Sequence, residues 1–450
     1  MRDVQISDHF DSSTILIFAL PSIGMMLVAN VYLVATGFLV SNYIGAAAFA
    51  AENLIIPPFQ ILAGLGMMFG TGASAVIARE LGAGRPERAC GILSMIFLAL
   101  ALIGLLIAAL LYPKLPAIAT WVGASENLVP ICVEFGGSLM LFIPFQMLTM
   151  LLQILLITAG RPGLGFAISA LQAAVNILMV WVFVVVCGWG MKGAALGIGL
   201  AWLSGLMIPL VYFSNPKNQL HFVRPICAWK IFGKTMYNGA SQLVDITSVA
   251  IVSVVFNLQL MRYLGEFGVA AYAVGGYVMA LLFSTYGGVS MSIVPVVGYH
   301  FGAGNHEELR SLRRKGMLLV MGMGVLLAAF SAGLAENIAG VFVGYDESLK
   351  ALTTEALHFL SLAFLFIGVI IFSSSYFTGL GQGTLSLIIS LCNSLLGPLA
   401  MVHLLPTLLG RKGLWLAQPA AQCLTLLIVV TGCFLWWKRK SNIHIIEENR

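Results

Sequence analysis

Charge is what this sequence has least of: Asp, Glu, Lys and Arg together make up 9% of its 450 residues, where a soluble domain carries about a quarter. With 60% apolar residues and a mean hydropathy of +0.97, a water-soluble fold is excluded. Long basic stretches are also missing. The net charge of +5 comes from short clusters between apolar runs, the pattern of orienting loop charges rather than of a nucleic-acid surface, so no nucleic-acid partner is expected. The seven cysteines are scattered with no CxxC pair, which argues against a disulfide framework, and no His stands at metal-ligand spacing. The catalytic signatures HExxH and GxSxG are absent, so the chain is not expected to be an enzyme. Gly82–Gly84 and Gly302–Gly304 lack the GxxxxGK[ST] spacing of a phosphate-binding loop and read as turns.

What the chain has in abundance is apolar runs long enough to cross a bilayer, for which about 20 residues suffice. Cutting at Gly, Pro and charge clusters leaves twelve spans, approximately 14–39, 48–77, 90–112, 129–157, 163–187, 192–213, 235–262, 268–299, 314–335, 350–377, 384–408 and 413–437. The first is too long for a signal-peptide core and is expected to be retained. Of the 23 basic residues, this alternation puts all but Lys114, Lys192, Arg262, Lys350, Arg411 and Lys412 on one face. The positive-inside rule makes that face cytoplasmic, with both termini there, in a multi-pass protein of the cell's inner membrane. Trp436 and Trp437 ahead of Lys438 fit an interfacial anchor.

A second pattern is a repeat at an offset of 220 residues. Gly82-Ala83-Gly84 recurs as Gly302-Ala303-Gly304, Thr158 and Gly163 as Thr378 and Gly383, and Lys192-Gly193 as Lys412-Gly413. Because the offset spans six helices, the halves share one orientation, as in parallel-repeat transporters whose substrate site lies between two lobes near the midplane. The expected division is an N-lobe over 1–213, a linker over 214–234 and a C-lobe over 235–450.

With these features in place, the chain resembles the multidrug and toxic compound extrusion (MATE) family. The resemblance is carried by Pro21, by the run Tyr43 to Ala51 leading to Pro57, and by Glu80-Leu81-Gly82-Ala83-Gly84. Asn176, the turn Gly190 to Ala195, Asn257 and the stretch Val294 to Gly304 continue it through the second half. It implies an all-α membrane protein, with twelve transmembrane helices in a V-shaped pair of six-helix lobes, that extrudes drugs or dyes in exchange for H⁺ or Na⁺. It also marks a departure: where members often carry an acid in spans one and five, this chain has Thr36 and Val180.

An acid at a helix centre costs about 2.5–3.5 kcal/mol on insertion scales, so each one asks for a function. Asp245, about ten residues into span seven, is the deepest, and it matches a position where the family frequently has an acid. Gln242 and Ser248 at three residues either side, with Ser241 at four, make a polar stripe expected to hydrogen-bond it. Asn30, Asn176, Asn257 and Thr36 are further candidates for ion or substrate contact, with Tyr277 and Met26 representing an aromatic and thioether lining suited to amphiphilic cations. Glu355 and His358, three apart on one helix face, and Glu52 are the remaining titratable candidates. Ordinary explanations stand beside each: intramembrane Asn pairs helices, charged groups near helix ends reach the interface, and most Met and aromatic residues simply pack.

The expected function is therefore ion-coupled efflux of small cationic amphiphiles by a monomer, with no cofactor beyond a coupling H⁺ or a transient Na⁺. The alternative within the superfamily, a flippase for lipid-linked saccharides or polyprenyl phosphates, would want Arg or Lys deep in the spans for an anionic head group, and none lies there.

Overall fold

The protein is described by a computed structural model covering residues 4–448, with side chains described from residue 4 to 431; Trp436, Trp437 and Lys438 lie outside the described side chains. Among the described residues there is helix and no strand, as a lipid solvent demands of a chain that does not close into a barrel.

The spans are Ser12–Tyr43, Ala46–Gly82, Pro86–Trp121, Val129–Met140 with Ile143–Thr158, Pro162–Val186 and Gly190–Ser214 in the first half. The second half has Trp229–Gly302, His306–Gly333, Glu347–Ser361 with Phe364–Gly379, Gly383–Leu409 and Arg411–Thr431. Trp229–Gly302 is 74 residues long, about 110 Å if straight, and breaks at Gly265 (φ 65°, ψ −155°). It is therefore spans seven and eight, and the total among the described residues is twelve. Span seven turns helical at Trp229, within the stretch expected to be linker, because Trp229 and Phe232 meet edge-on at an end where an aromatic pair suits the membrane boundary.

The repeat is visible in backbone conformation. Gly84 (φ 71°) and Gly304 (φ 70°) close equivalent helix ends, and Gly190 (φ 56°) and Gly410 (φ 60°) stand in equivalent turns between helices, each at a positive φ that only glycine adopts without cost. Spans four and ten are bent by 51° and 44° at matching places. In span four Pro144 has no N–H for the Met140 carbonyl, so the ladder breaks there. One register differs from the sequence expectation. The turn after span four centres on Gly160 (φ 72°) and its counterpart on Gly381 (φ 73°), an offset of 221. The helices end at Thr158 and Gly379, so Thr158 and Thr378 are one residue out of equivalence.

The halves meet along spans one and two of the first and seven and eight of the second. At the end rich in basic residues they approach backbone to backbone. A Cβ on Gly72 would fall on the Thr235 carbonyl oxygen and one on Gly239 on that of Met68. A Cβ on Gly82 would fall on the carbonyl of Tyr299, and one on Gly302 on that of Arg79. The last two contacts are each other's image at the repeat offset. Higher on the seam, Ser292 donates to Ser22 (2.9 Å) and Asn30 to Ser284 (2.8 Å).

Residues ahead of span one run across the same end. Asp11 caps the helix, and the Thr14 side chain and backbone N–H hold its carboxyl down at about 2. A carboxyl lowered in this way contributes to the fold above its ordinary value and loses that contribution only as pH falls toward 2. Phe10, 1% exposed, packs edge-on against Phe18. Its N–H donates to Glu308 (2.9 Å), whose other oxygen takes His9 Nδ1 at 2.6 Å. Lys315 reaches the Phe10 carbonyl at 3.3 Å. Since hydrogen bonds to a charged acceptor contribute about 1.5–3 kcal/mol, Glu308→Ala is expected to release this segment. Limited proteolysis would then cut ahead of residue 12 faster and Tm would fall; an unchanged digestion pattern would show that the segment is held by Phe10 alone.

Candidate functional site

The site is built on span seven and completed by spans eight, ten and eleven. Asp245 lies opposite a local π-turn, Leu391–Leu396, in span eleven. Pro398 follows and cannot supply the N–H that the Ser394 carbonyl would take in a regular helix, so the turn widens. Ser390 donates to Asp245 Oδ2 at 3.1 Å and Ser394 to Oδ1 at 2.6 Å. Both carboxylate oxygens thus face hydroxyl donors, and among the described residues no basic side chain is paired with them. Around the carboxylate is a small pocket lined by Gln242, Ser290, Ile370, Ile371, Ser374, Ser375, Ile389, Ser390 and Asn393. Asn393 Oδ1 is buried without a hydrogen-bond partner, leaving a neutral oxygen acceptor in the same pocket as an acidic one. Such a set of oxygens suits a cation.

Sequence reasoning and structure differ over what holds the carboxylate. The stripe on its own helix does not: Gln242 lines the pocket, whereas Ser241 Oγ is buried with no partner and Ser248 is buried farther along the helix. The donors come from span eleven, because side chains on one helix diverge while a facing helix converges. A signal for them exists in the sequence. Ser386, Ser390 and Ser394 recur every four residues, a hydroxyl row on one helix face, opposite the triplet Ser373-Ser374-Ser375 of span ten.

The other candidates fall elsewhere. Thr36 donates to Asn176 Oδ1 at 2.6 Å, and the two are 2% and 1% exposed, a closed neutral pair between spans one and five. Val180 is fully buried beside Gly197. Neither lobe-one position opens onto the Asp245 pocket. Asn30 and Met26 sit on the seam between the halves, Met26 near Gly287. Tyr277 is 63% exposed and stacks on Phe342, and Asn257 is exposed; neither lines the pocket. Glu355 and His358 do not pair. Glu355 lies 3.9 Å from Arg411 and His358 Nδ1 is 2.8 Å from the Thr354 carbonyl, since an arginine from the neighbouring hairpin and a backbone acceptor one turn back are each nearer. Glu52 is 2% exposed with Oε2 unpartnered, far more enclosed than its place near a helix start suggests.

A family model described as MatE matches residues 21–182 and again 243–401. The chain belongs to the MatE family. One matched range falls in each half, and a MatE protein is a membrane transporter, not an enzyme. Among curated MatE relatives, the multidrug export protein MepA of Staphylococcus aureus (strain MSSA476) is 24% identical over 403 residues, covering 85% of both chains. MepA of Staphylococcus haemolyticus (strain JCSC1435) is 25% identical over 313 residues, covering 67% of this chain and 68% of its own. Solved MatE folds superpose over nearly the whole length. A MATE transporter crystallised with MaL6 gives a TM-score of 0.89 at 22% identity, covering 98% of each chain. A superfamily transporter from Pyrococcus furiosus, described as having a binding pocket of reversed polarity that suggests a different function, gives 0.87 at 22%, again over 98% of both. The fold is therefore shared by pockets of differing polarity, and the side chains around Asp245 have to decide what this one takes.

Proposed function

We propose that this transporter exports small cationic amphiphiles from the cytoplasm, in exchange for H⁺ or Na⁺ entering, by rocking its two halves about the seam. The observation that carries the reading is Asp245: a carboxylate in a pocket lined otherwise by hydroxyls, amides and isoleucines, with no Lys or Arg. An anionic lipid head group would meet one negative and no positive side chain there, so the pocket favours cations. Ion and substrate then compete for one negative charge: arrival of either displaces the other, which links their movements in opposite directions. The relatives' names, multidrug export proteins, support export of drugs. The basic end, where the halves touch, is cytoplasmic in this reading, so the structure stands closed toward the cytoplasm.

Dye accumulation in everted membrane vesicles tests it. Accumulation is expected under an imposed gradient and is expected to collapse when the coupling ion's gradient alone is dissipated, with H⁺ and Na⁺ gradients removed in turn. Accumulation that survives loss of both would refute exchange.

A further inference from the structure

From Asp245 the hydroxyls continue through the pocket wall, where Ser390 and Ser374 stand, and beyond it. Ser390 Oγ lies 3.4 Å from Ser374 Oγ, Ser374 3.0 Å from Ser386 Oγ, and Ser386 2.7 Å from Thr378 Oγ1. The four are between 0% and 8% exposed. Their order follows from the hairpin of spans ten and eleven. Ser374 and Thr378 are one turn apart on span ten, Ser386 and Ser390 one turn apart on span eleven, and the antiparallel helices mesh them as a zigzag. The zigzag runs from the carboxylate toward the turn at residues 379–382, where Gln382 is exposed, at the basic end.

We infer that Ser390, Ser374, Ser386 and Thr378 form a proton path from Asp245 to the cytoplasmic turn, through the C-terminal half rather than along the seam between the halves. The inference rests on Asp245 being the coupling group and specifies H⁺ as its ion. Each hydroxyl both donates and accepts, so a chain of them passes a proton without any atom travelling far. The O–H bond of the protonated carboxyl breaks as one forms on Ser390 Oγ. Ser390's own proton moves to Ser374, that of Ser374 to Ser386 and that of Ser386 to Thr378, whose proton is taken by a water molecule at the turn. One proton has left Asp245, which is again a carboxylate, and rotation of the hydroxyls resets the chain. No redox partner is required.

Geometry excludes a metal ion from this route, since the hydroxyls are in mutual contact and leave no space for an ion with its ligands. Two cations stand by the exit: a Cβ at Gly381 would lie 4.0 Å from both Arg79 Nη1 and Lys234 Cε. They repel an incoming cation, and Glu80, close to Lys234, is the carboxylate beside them. A closed seam is then no obstacle: with the glycine contacts shut, the proton still has a way to the cytoplasm that the substrate does not. Small hydroxyl residues also let helices pack closely, and the test must separate that role from conduction.

The experiment uses the full-length protein in proteoliposomes with Ser386→Ala and Thr378→Val, neither of which lines the pocket and both of which keep side-chain volume nearly unchanged. Two rates are compared: dye transport driven by a pH gradient, and dye-for-dye exchange at equal pH, which requires no net proton transfer. The expected result is a fall on the order of a hundredfold in the driven rate, with exchange at the wild-type rate. Equal slowing of both would mean a packing role and overturn the path, as would a driven rate equal to wild type. Asp245→Asn separates this from the reading beneath it. If that variant still transports under a pH gradient, the coupling assignment has failed. If it is inactive while Ser386→Ala and Thr378→Val are fully active, only the path has.

Discussion

Cells carrying Asp245→Asn are expected to lose efflux-dependent drug tolerance entirely while keeping normal amounts of the protein in the membrane. Asparagine has the carboxylate's shape and accepts from Ser394 through its one oxygen, while Ser390 can rotate to accept from its amide, so the pocket keeps its packing. What disappears is the charge. In a one-for-one exchange of monovalent cations the membrane potential cancels, and each unit of pH gradient supplies about 1.4 kcal/mol, enough for a roughly tenfold substrate gradient. Without an ionisable group at this position the accumulation ratio should fall to unity. The decisive measurement is steady-state dye accumulation in vesicles, normalised to protein content. A variant that still concentrates dye would place coupling elsewhere, and Glu52, the enclosed carboxyl of the first half, would be the next group to remove.

Substitution at the glycine contacts should be nearly as severe, for a mechanical reason. A methyl at Gly82 or Gly302 lands on a backbone carbonyl oxygen of the opposite half, and the same holds for Gly72 and Gly239. A side chain can swing aside, but a carbonyl within a helix cannot move without its helix. Overpacking of this kind costs about 1–3 kcal/mol, which shifts the balance between the closed and open basic end by roughly five- to 150-fold. Gly82→Ala and Gly302→Ala are each expected to raise thiol labelling of cysteines introduced along the seam near Thr235 and Met68, and to lower efflux. Because the two contacts belong to one helix crossing, the first methyl already separates the helices and the double variant should fall short of the sum. Unaltered labelling would mean that the halves do not need to touch there during the cycle.

Much of the molecule's plan was readable beforehand, and the reason is the solvent. Lipid admits only long apolar helices, so the twelve runs and their basic ends are written as composition, and span eight is recognisable although its helix is continuous with span seven in all but the Gly265 break. The duplication is equally plain at glycines 84 and 304, which are held by a left-handed backbone that tolerates no other residue well; the like pair at 190 and 410 emerges only from the structure. The register differs by one at Thr158 and Thr378, which share a residue type and not a position. In the structure the glycines at 160 and 381 are the equivalent pair.

The depth of Asp245 followed from counting along a helix and from the cost of placing a carboxyl there. Its partners did not. A helical sequence states which residues share a face and says nothing of which helix that face meets. The hydroxyl row of span eleven was present as a four-residue period, and only the folding of spans ten and eleven against span seven turned it into two donors to a carboxylate and a chain leading away from it. The same holds for the Thr36–Asn176 pair, the separation of Glu355 from His358 and the enclosure of Glu52. The sequence by itself determined that the chain spans a membrane twelve times in two like halves with one deep acid, because hydrophobic length and charge position are local quantities. Tertiary structure decided which polar groups surround that acid and where the halves touch, because each depends on distances between segments more than a hundred residues apart.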